Sequence, residues 1–258
     1  MRPGSRVSDE IRSYSLSAEA NLFEELSASA RLEELGKGRR GAVLTRVDEE
    51  GGVPLVRTTT RYTAPAQCFR PVHERLARWI RERAALPHDF DNALIESYTN
   101  AYRRMGAHSD QALDLADGSS IAVFSCYRDP GAGARRTLIV EEKGAGGERL
   151  EVPLAHHGVV AFSVDANRRL RHRIVLDAPA QAADNPWLGV TFRTSKTLLR
   201  FRGGHPYLPW GARLTQADEE QRRAFHRLRR RENEETDFTY PPLTYTVSES
   251  DLVPPVRP

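Results

Sequence analysis

Seven short β-forming runs at near-regular intervals (92–98, 120–127, 137–142, 150–154, 159–164, 171–176 and 188–192) constrain the fold of this chain more than any other feature. Each is rich in Val, Ile, Leu, Phe or Thr, which suit a pleated, half-buried surface. Turn chemistry separates them: Ala116-Asp117-Gly118, Asp129-Pro130-Gly131 and the glycine-rich stretch 144–147. Parallel strands need crossovers of a dozen or more residues, usually helical. Short strands joined by turns instead predict an antiparallel sandwich or jelly roll.

The flanks read differently. The first sixteen residues are polar and are expected as a disordered tail. The spacing of Leu22, Phe23, Leu26, Ala30 and Leu35 predicts a helix over 17–35, stopped by Gly36. Strands follow at 41–48 and 54–62 around the Glu49-Glu50-Gly51-Gly52 turn, then a helix after Pro71 with Val72, Leu76, Trp79 and Ile80 on one face. Beyond Arg202, Gly203-Gly204 break the pattern. A helix is expected over 215–235, its acidic first turn and arginine-rich later turns matching the helix dipole. Its arginines from Arg222 to Arg231 read as a solvated face, because Glu232, Glu234 and Glu235 follow directly. The tail from Pro241 is expected to be irregular. The class is thus α+β, mainly β. Its parts are 1–40 (tail and helix), 41–203 (the β-rich domain) and 204–258 (an extension with one helix and a proline-rich tail).

Composition excludes several classes. No apolar run in the 258 residues approaches bilayer length, and the polar N-terminus lacks a signal-peptide core, so a cytoplasmic location is expected. Two cysteines, Cys68 and Cys126, are too few for a disulfide framework and read as small core residues. A net charge of +3 is compatible with nucleic-acid binding without requiring it.

The chemistry concentrates in Met105-Gly106-Ala107-His108-Ser109-Asp110. In extended chain alternate residues share a face, so His108 and Asp110 can hold adjacent positions on one metal. A third ligand must come from elsewhere: His172 lies on an expected strand, while His156 and His157 precede Gly158 at a turn. Two histidines and one carboxylate form the facial triad that leaves iron positions open for oxygen chemistry.

Four segments, in order, resemble the AlkB family of iron- and 2-oxoglutarate-dependent oxygenases over roughly 54–196. They are the strand and helix at 54–80, the run from Phe90 through Asn92, Leu94 and Tyr98 to His108-Ser109-Asp110, the stretch from Leu154 to His172, and Trp187 to Arg193 with its Thr-Phe-Arg ending. The resemblance implies a double-stranded β-helix (jelly roll) core, with N-terminal helices packed on one sheet and a C-terminal helical extension. It assigns His108, Asp110 and His172 to Fe(II), and Tyr98 and Arg193 to 2-oxoglutarate. Arginine suits a dicarboxylate cosubstrate because it grips a carboxylate bidentately. Thr191 and Ser195 share the face of Arg193 by parity and are further cosubstrate candidates. The activity implied is oxidation of a substrate C–H bond with O2.

Three positions depart from the family pattern. Glu96 replaces an asparagine at the cosubstrate wall, Trp187 replaces the first arginine of the terminal motif, and Ala112 replaces an acidic residue two beyond the metal aspartate. With that arginine gone, Arg193, Arg200 and Lys196 are the cations left for the distal carboxylate. A glutamate beside an anionic cosubstrate costs energy unless protonated or paired, so Glu96 is expected to turn away or to meet a cationic substrate. Glu96, Trp187 and Tyr62 are the candidate substrate residues. Two substrate classes follow: an N-alkylated nucleobase in DNA or RNA, reached by arginines at 38–40, 168–173 and 222–231 and stacked by Tyr62, Phe69, Tyr102 or Trp187; or a small molecule or protein side chain hydroxylated by the same chemistry.

Overall fold

The computed structural model describes residues 6–18, 20–132, 135–144, 146–177 and 183–257. In chain order the elements begin with α1 (Val7–Glu10), β1 (Arg12–Ser15), α2 (Leu22–Ser29), β2 (Glu33–Gly36), β3 (Arg39–Thr45), β4 (Val53–Leu55), β5 (Gln67–Cys68) and α3 (Pro71–Ala84). The β-rich centre comprises β6 (Asn92–Tyr98), β7 (Ser120–Tyr127), β8 (Arg135–Glu142), β9 (Arg149–Leu154), β10 (Gly158–Ser163), α4 (Val164–Arg169), β11 (Leu170–Asp177) and β12 (Trp187–Arg193). The chain closes with β13 (Thr197–Arg202), β14 (His205–Tyr207), β15 (Thr215–Gln216), α5 (Glu219–Glu234), β16 (Tyr245–Thr246) and a 3-10 turn (Glu249–Leu252).

The seven expected strands are β6 to β12, each within two residues of its expected ends. They divide between two sheets: a main sheet ordered β1-β10-β7-β12-β6-β3-β2, with β5 added to β3, and a minor sheet ordered β11-β8-β9. All pairings in both are antiparallel except β3 with β5. The protein is therefore mostly β with few helices, an arrangement compatible with the expected jelly roll.

Strand alternation sets up two cores. One face of the main sheet (Ala93 and Ile95 on β6; Leu188, Val190 and Phe192 on β12) buries against Leu22, Phe23 and Leu26 of α2 and Val72, Leu76 and Ile80 of α3. Helices α2 and α3 thus pack on one face of the main sheet, as expected, whereas α1 puts Val7 into the second core beside β8 and β9 of the minor sheet. The opposite face (Tyr98, Trp187, Ile121, Phe162) meets Leu138, Val140, Val152 and Ile174 of the minor sheet. The space that these inward side chains leave unfilled becomes the site.

Five local expectations are corrected. Residues 7–16 form α1 and β1 rather than a tail, and β1 extends the main sheet by pairing Arg12–Ser15 with β10. Residues 1–5 lie outside the described residues. The helix expected over 17–35 is only Leu22–Ser29, capped by the Asn21 side chain accepting the Phe23 N–H. Leu35 instead sits in β2, a hairpin arm turned by Gly36, Lys37 and Gly38, all at positive φ. The strand expected at 54–62 ends at Leu55, and Val56 to Thr60 line the cavity. Thr215-Gln216 is a strand paired with Tyr245-Thr246, so the 241–258 tail carries order of its own. The solvated reading of the α5 arginines fails at Arg229, which is buried together with Glu232.

Candidate metal centre

His108 lies in the long link between β6 and β7, outside both strands, yet its backbone is fixed. Its N–H donates to the His172 carbonyl at 3.0 Å and its carbonyl accepts the His172 N–H at 2.7 Å. This reciprocal pair with β11 puts both imidazoles on one side, with ring centroids 4.6 Å apart. Asp110, two residues on, returns to the same side. Its Oδ1 lies 3.7 Å from Nε2 of His108 and 3.6 Å from Nε2 of His172. One ligand atom from each residue lies within 4.8 Å of the others.

The protonation states make this an electron-rich centre. Nδ1 of His108 is 2.9 Å from the Gly106 carbonyl, which can only accept, so Nδ1 carries the hydrogen and Nε2 presents a lone pair. Burial lowers the His108 pKa and pushes that of His172 down to about 3, so both rings are neutral near pH 7. Burial alone would raise the Asp110 pKa, but Arg193 and the two rings hold it well below the usual carboxylate range. Two neutral imidazoles and an ionised carboxylate thus converge, a donor set that a divalent cation would bind. The residues fit iron on donor type as well.

Arg193, at the end of β12, donates from Nε to Asp110 Oδ2 at 2.7 Å. A weak 3.4 Å contact from Nη1 to the Thr191 carbonyl is its other hydrogen bond. Donors therefore remain on its cavity side. The cavity itself, about 350 Å³, is lined by His108, Asp110, His172, Thr191 and Arg193 at one end and by Arg39, Glu96 and Trp187 at the other.

The loop bearing Asp110 is held from both sides. Asn167 of α4 accepts the Asp110 N–H at 2.8 Å and donates to its carbonyl at 2.7 Å. From α5, Asn233 accepts the Ser109 N–H at 2.9 Å, Arg229 donates to the Ser109 carbonyl at 2.7 Å, and Glu232 accepts the Ala112 N–H at 2.8 Å. The C-terminal extension is thus part of the site's support. Sequence reasoning missed these residues; the signal available was an Arg229–Glu232 pair at helical spacing among otherwise solvent-facing charges.

The remaining candidates fall in several places. Glu96 faces the cavity and meets a cation of its own chain: Arg39 donates to Oε1 from Nε at 2.9 Å and from Nη2 at 2.5 Å. The expectation that Glu96 turns away or awaits a cationic substrate is therefore corrected. Tyr98 donates to Glu96 Oε2 at 2.7 Å and Tyr62 to Oε1 at 3.3 Å, so both phenols serve this carboxylate rather than the cavity lining. Trp187 is buried, its Nε1 donating to Ser125 Oγ at 2.6 Å, and its ring lies back over Gly189, where any added Cβ would collide with the indole. Thr191 lines the cavity. Ser195 does not: its hydroxyl donates to the Leu55 carbonyl at 2.6 Å in the β12–β13 link. Arg200 pairs with Asp48 and Glu50, and Lys196 reaches Asp117, so neither lines the cavity. His156 and His157 stack on each other and accept the N–H groups of Tyr127 and Leu22, away from the triad.

Cys126 is buried in the helix-covered core, as a small core residue should be. No helix among the described residues is long and apolar enough to cross a membrane. No family model matches the sequence, and no curated protein matches it. Among solved structures the chain is similar to OsALKBH1, with a TM-score of 0.43 and 16% identity over 66% of this chain and 88% of that one. At that distance the likeness assigns neither substrate nor reaction.

Proposed function

We propose that this protein is an Fe(II)- and 2-oxoglutarate-dependent oxygenase that oxidises a substrate C–H bond, with the N-alkyl group of a nucleobase in DNA or RNA as the favoured target. The observation that carries the reading is the convergence of His108, Asp110 and His172 in one cavity, with Arg193 alongside. Iron together with 2-oxoglutarate and O2 supplies oxidation of a C–H bond, with decarboxylation of the 2-oxo acid to succinate.

The protein's part is to hold and to exclude. His108 and His172 offer neutral nitrogens and Asp110 an ionised oxygen. Arg193 neutralises the outer oxygen of Asp110 and turns its remaining donors to the cosubstrate's carboxylate, with the Thr191 hydroxyl beside it. Val123, Leu138, Ile174 and Trp187 give apolar walls that keep water from the reacting carbon. Arg39 is already engaged by Glu96, so that end of the cavity is close to neutral and leaves Arg193 as the principal anchor. A second reading, a small molecule or a single protein side chain hydroxylated by the same chemistry, rests on the modest volume of the cavity, about 350 Å³.

The test is succinate release from 2-oxoglutarate in air with added Fe(II). Wild-type protein is expected to turn over and His108→Ala to lose at least 100-fold. Undiminished turnover in the variant rules out the assigned centre. Stimulation by a methylated oligonucleotide, but not by free metabolites, separates the two substrate readings.

A further inference from the structure

Gln111 follows the metal aspartate directly, lines the same cavity and is 5% exposed. Both polar atoms of its side chain, Nε2 and Oε1, are buried without a hydrogen-bond partner. Nε of Arg229, on the same wall, is buried and unpartnered as well. Buried polar groups are paired in the great majority of cases, and leaving one unpaired costs on the order of 1–3 kcal/mol. An amide also spends two capacities at once, one donor and one acceptor. The cost is greater here because the neighbouring positions are fully satisfied: Ser109 and Asp110 on one side and Ala112 on the other have their backbone groups tied to Asn233, Arg229, Asn167 and Glu232. The loop around Gln111 is held tightly while its own side chain is left with nothing.

We infer that Gln111 is a specificity-determining residue for substrate: its amide pairs with a planar group that presents a hydrogen-bond acceptor next to a donor, and Arg229 Nε adds a second donor to the same edge. The inference rests on the oxygenase reading, since it places the recognised group within reach of the triad. An amide is the side chain suited to such an edge; glutamine pairs in this way with the amino and ring-nitrogen edge of adenine. The edge assigned is that of a nucleobase, the favoured target above; a peptide carboxamide presents the same pair of groups and serves as the competing outcome of the test.

The experiment uses the full chain with Mn(II) and 2-oxoglutarate, without oxygen, in calorimetric titrations. Binding of Mn(II) and then of 2-oxoglutarate to the wild-type protein is measured first; if Mn(II) does not bind, the oxygenase reading falls and this inference with it. Two probes follow, 1-methyladenosine for the nucleobase source and N-acetylglycinamide for the carboxamide source. 1-Methyladenosine is expected to bind saturably to the wild type and to bind Gln111→Met about 10- to 100-fold more weakly, the loss of one or two hydrogen bonds; binding of N-acetylglycinamide in its place would overturn the nucleobase assignment. Gln111→Met should at the same time raise Tm by ~2–4 °C, because methionine fills the space without an unpaired amide. A glutamine with a merely structural role would give the opposite sign. Equal probe affinity in both proteins, a lowered Tm, or failure of both probes to bind protein that does bind Mn(II) and 2-oxoglutarate would overturn the assignment of Gln111 and leave the metal centre standing.

Discussion

Asp114→Ala should be among the most destabilising substitutions available in this chain. Arg57 and Asp114 form an ion pair in which each side chain is 1% exposed. Arg57 donates from Nε and Nη2 to the two carboxylate oxygens at 2.9 Å each, and its backbone N–H adds a 3.1 Å bond. Its Nη1 reaches the carbonyls of Leu243 and Tyr245 at 3.0 Å each, which ties the C-terminal segment to the cavity wall. Removing the carboxylate leaves a guanidinium in the interior with no carboxylate hydrogen-bonded to it, only the two carbonyls. Breaking a buried pair from one side costs about 3–5 kcal/mol, or ~6–20 °C in Tm at this chain length. Replacing both partners with apolar residues removes the stranded charge, so Arg57→Met with Asp114→Leu should cost less than Asp114→Ala alone. Urea unfolding of the wild type, the Asp114→Ala, Asp114→Leu and Arg57→Met single variants and the Arg57→Met/Asp114→Leu double variant measures all of these free energies. If Asp114→Ala costs under 1 kcal/mol, or the double variant loses the sum of the singles, the reasoning that an isolated buried charge dominates here is wrong.

Three further outcomes are expected. His73 is fully buried, accepting the Arg70 N–H at Nδ1 and bonding Ser29 at Nε2, and burial lowers its pKa to about 4. Because the unfolded chain takes up this proton near pH 6.5 and the folded chain does not, stability should fall by about 1.4 kcal/mol per pH unit from pH 6.5 down to 4; an unchanged acid slope in His73→Leu would refute it. Asn233→Ala removes the acceptor of the Ser109 N–H from α5 and should weaken Mn(II) binding about tenfold without altering the fold, read by calorimetry and circular dichroism. Arg193→Met should raise the 2-oxoglutarate requirement on the order of 100-fold, since hydrogen bonds to a charged partner are lost; no change in KM would mean that another cation holds the cosubstrate.

The sequence made the triad legible because its logic is local. Parity placed His108 and Asp110 together, and a histidine on a regular strand was a better partner than His156 or His157 at a turn. Parity also put Thr191 on the face of Arg193, but it carried Ser195 there too, and Ser195 lies past the end of the strand with its hydroxyl on the Leu55 carbonyl. Longer-range partnerships left no trace: nothing in the run around Glu96 points to Arg39, 57 residues earlier, and nothing around Asp110 points to Asn233. β1 was hidden for a different reason. Its residues, Arg-Ser-Tyr-Ser, are largely exposed, so an edge strand held through its backbone shows no apolar alternation. The helix expected over 17–35 failed because apolar spacing continued through Leu35 after the chain had already turned toward a hairpin.

Gly189 gives the cavity a floor made of main chain. The indole of Trp187 lies where a neighbouring side chain would otherwise rise, so the two positions act as one block that no residue at 189 can share. Widening of the chamber on this side toward bulkier guests must therefore proceed by trimming the tryptophan. Enlarging the glycine would do the reverse, evicting the ring into the space that a guest needs.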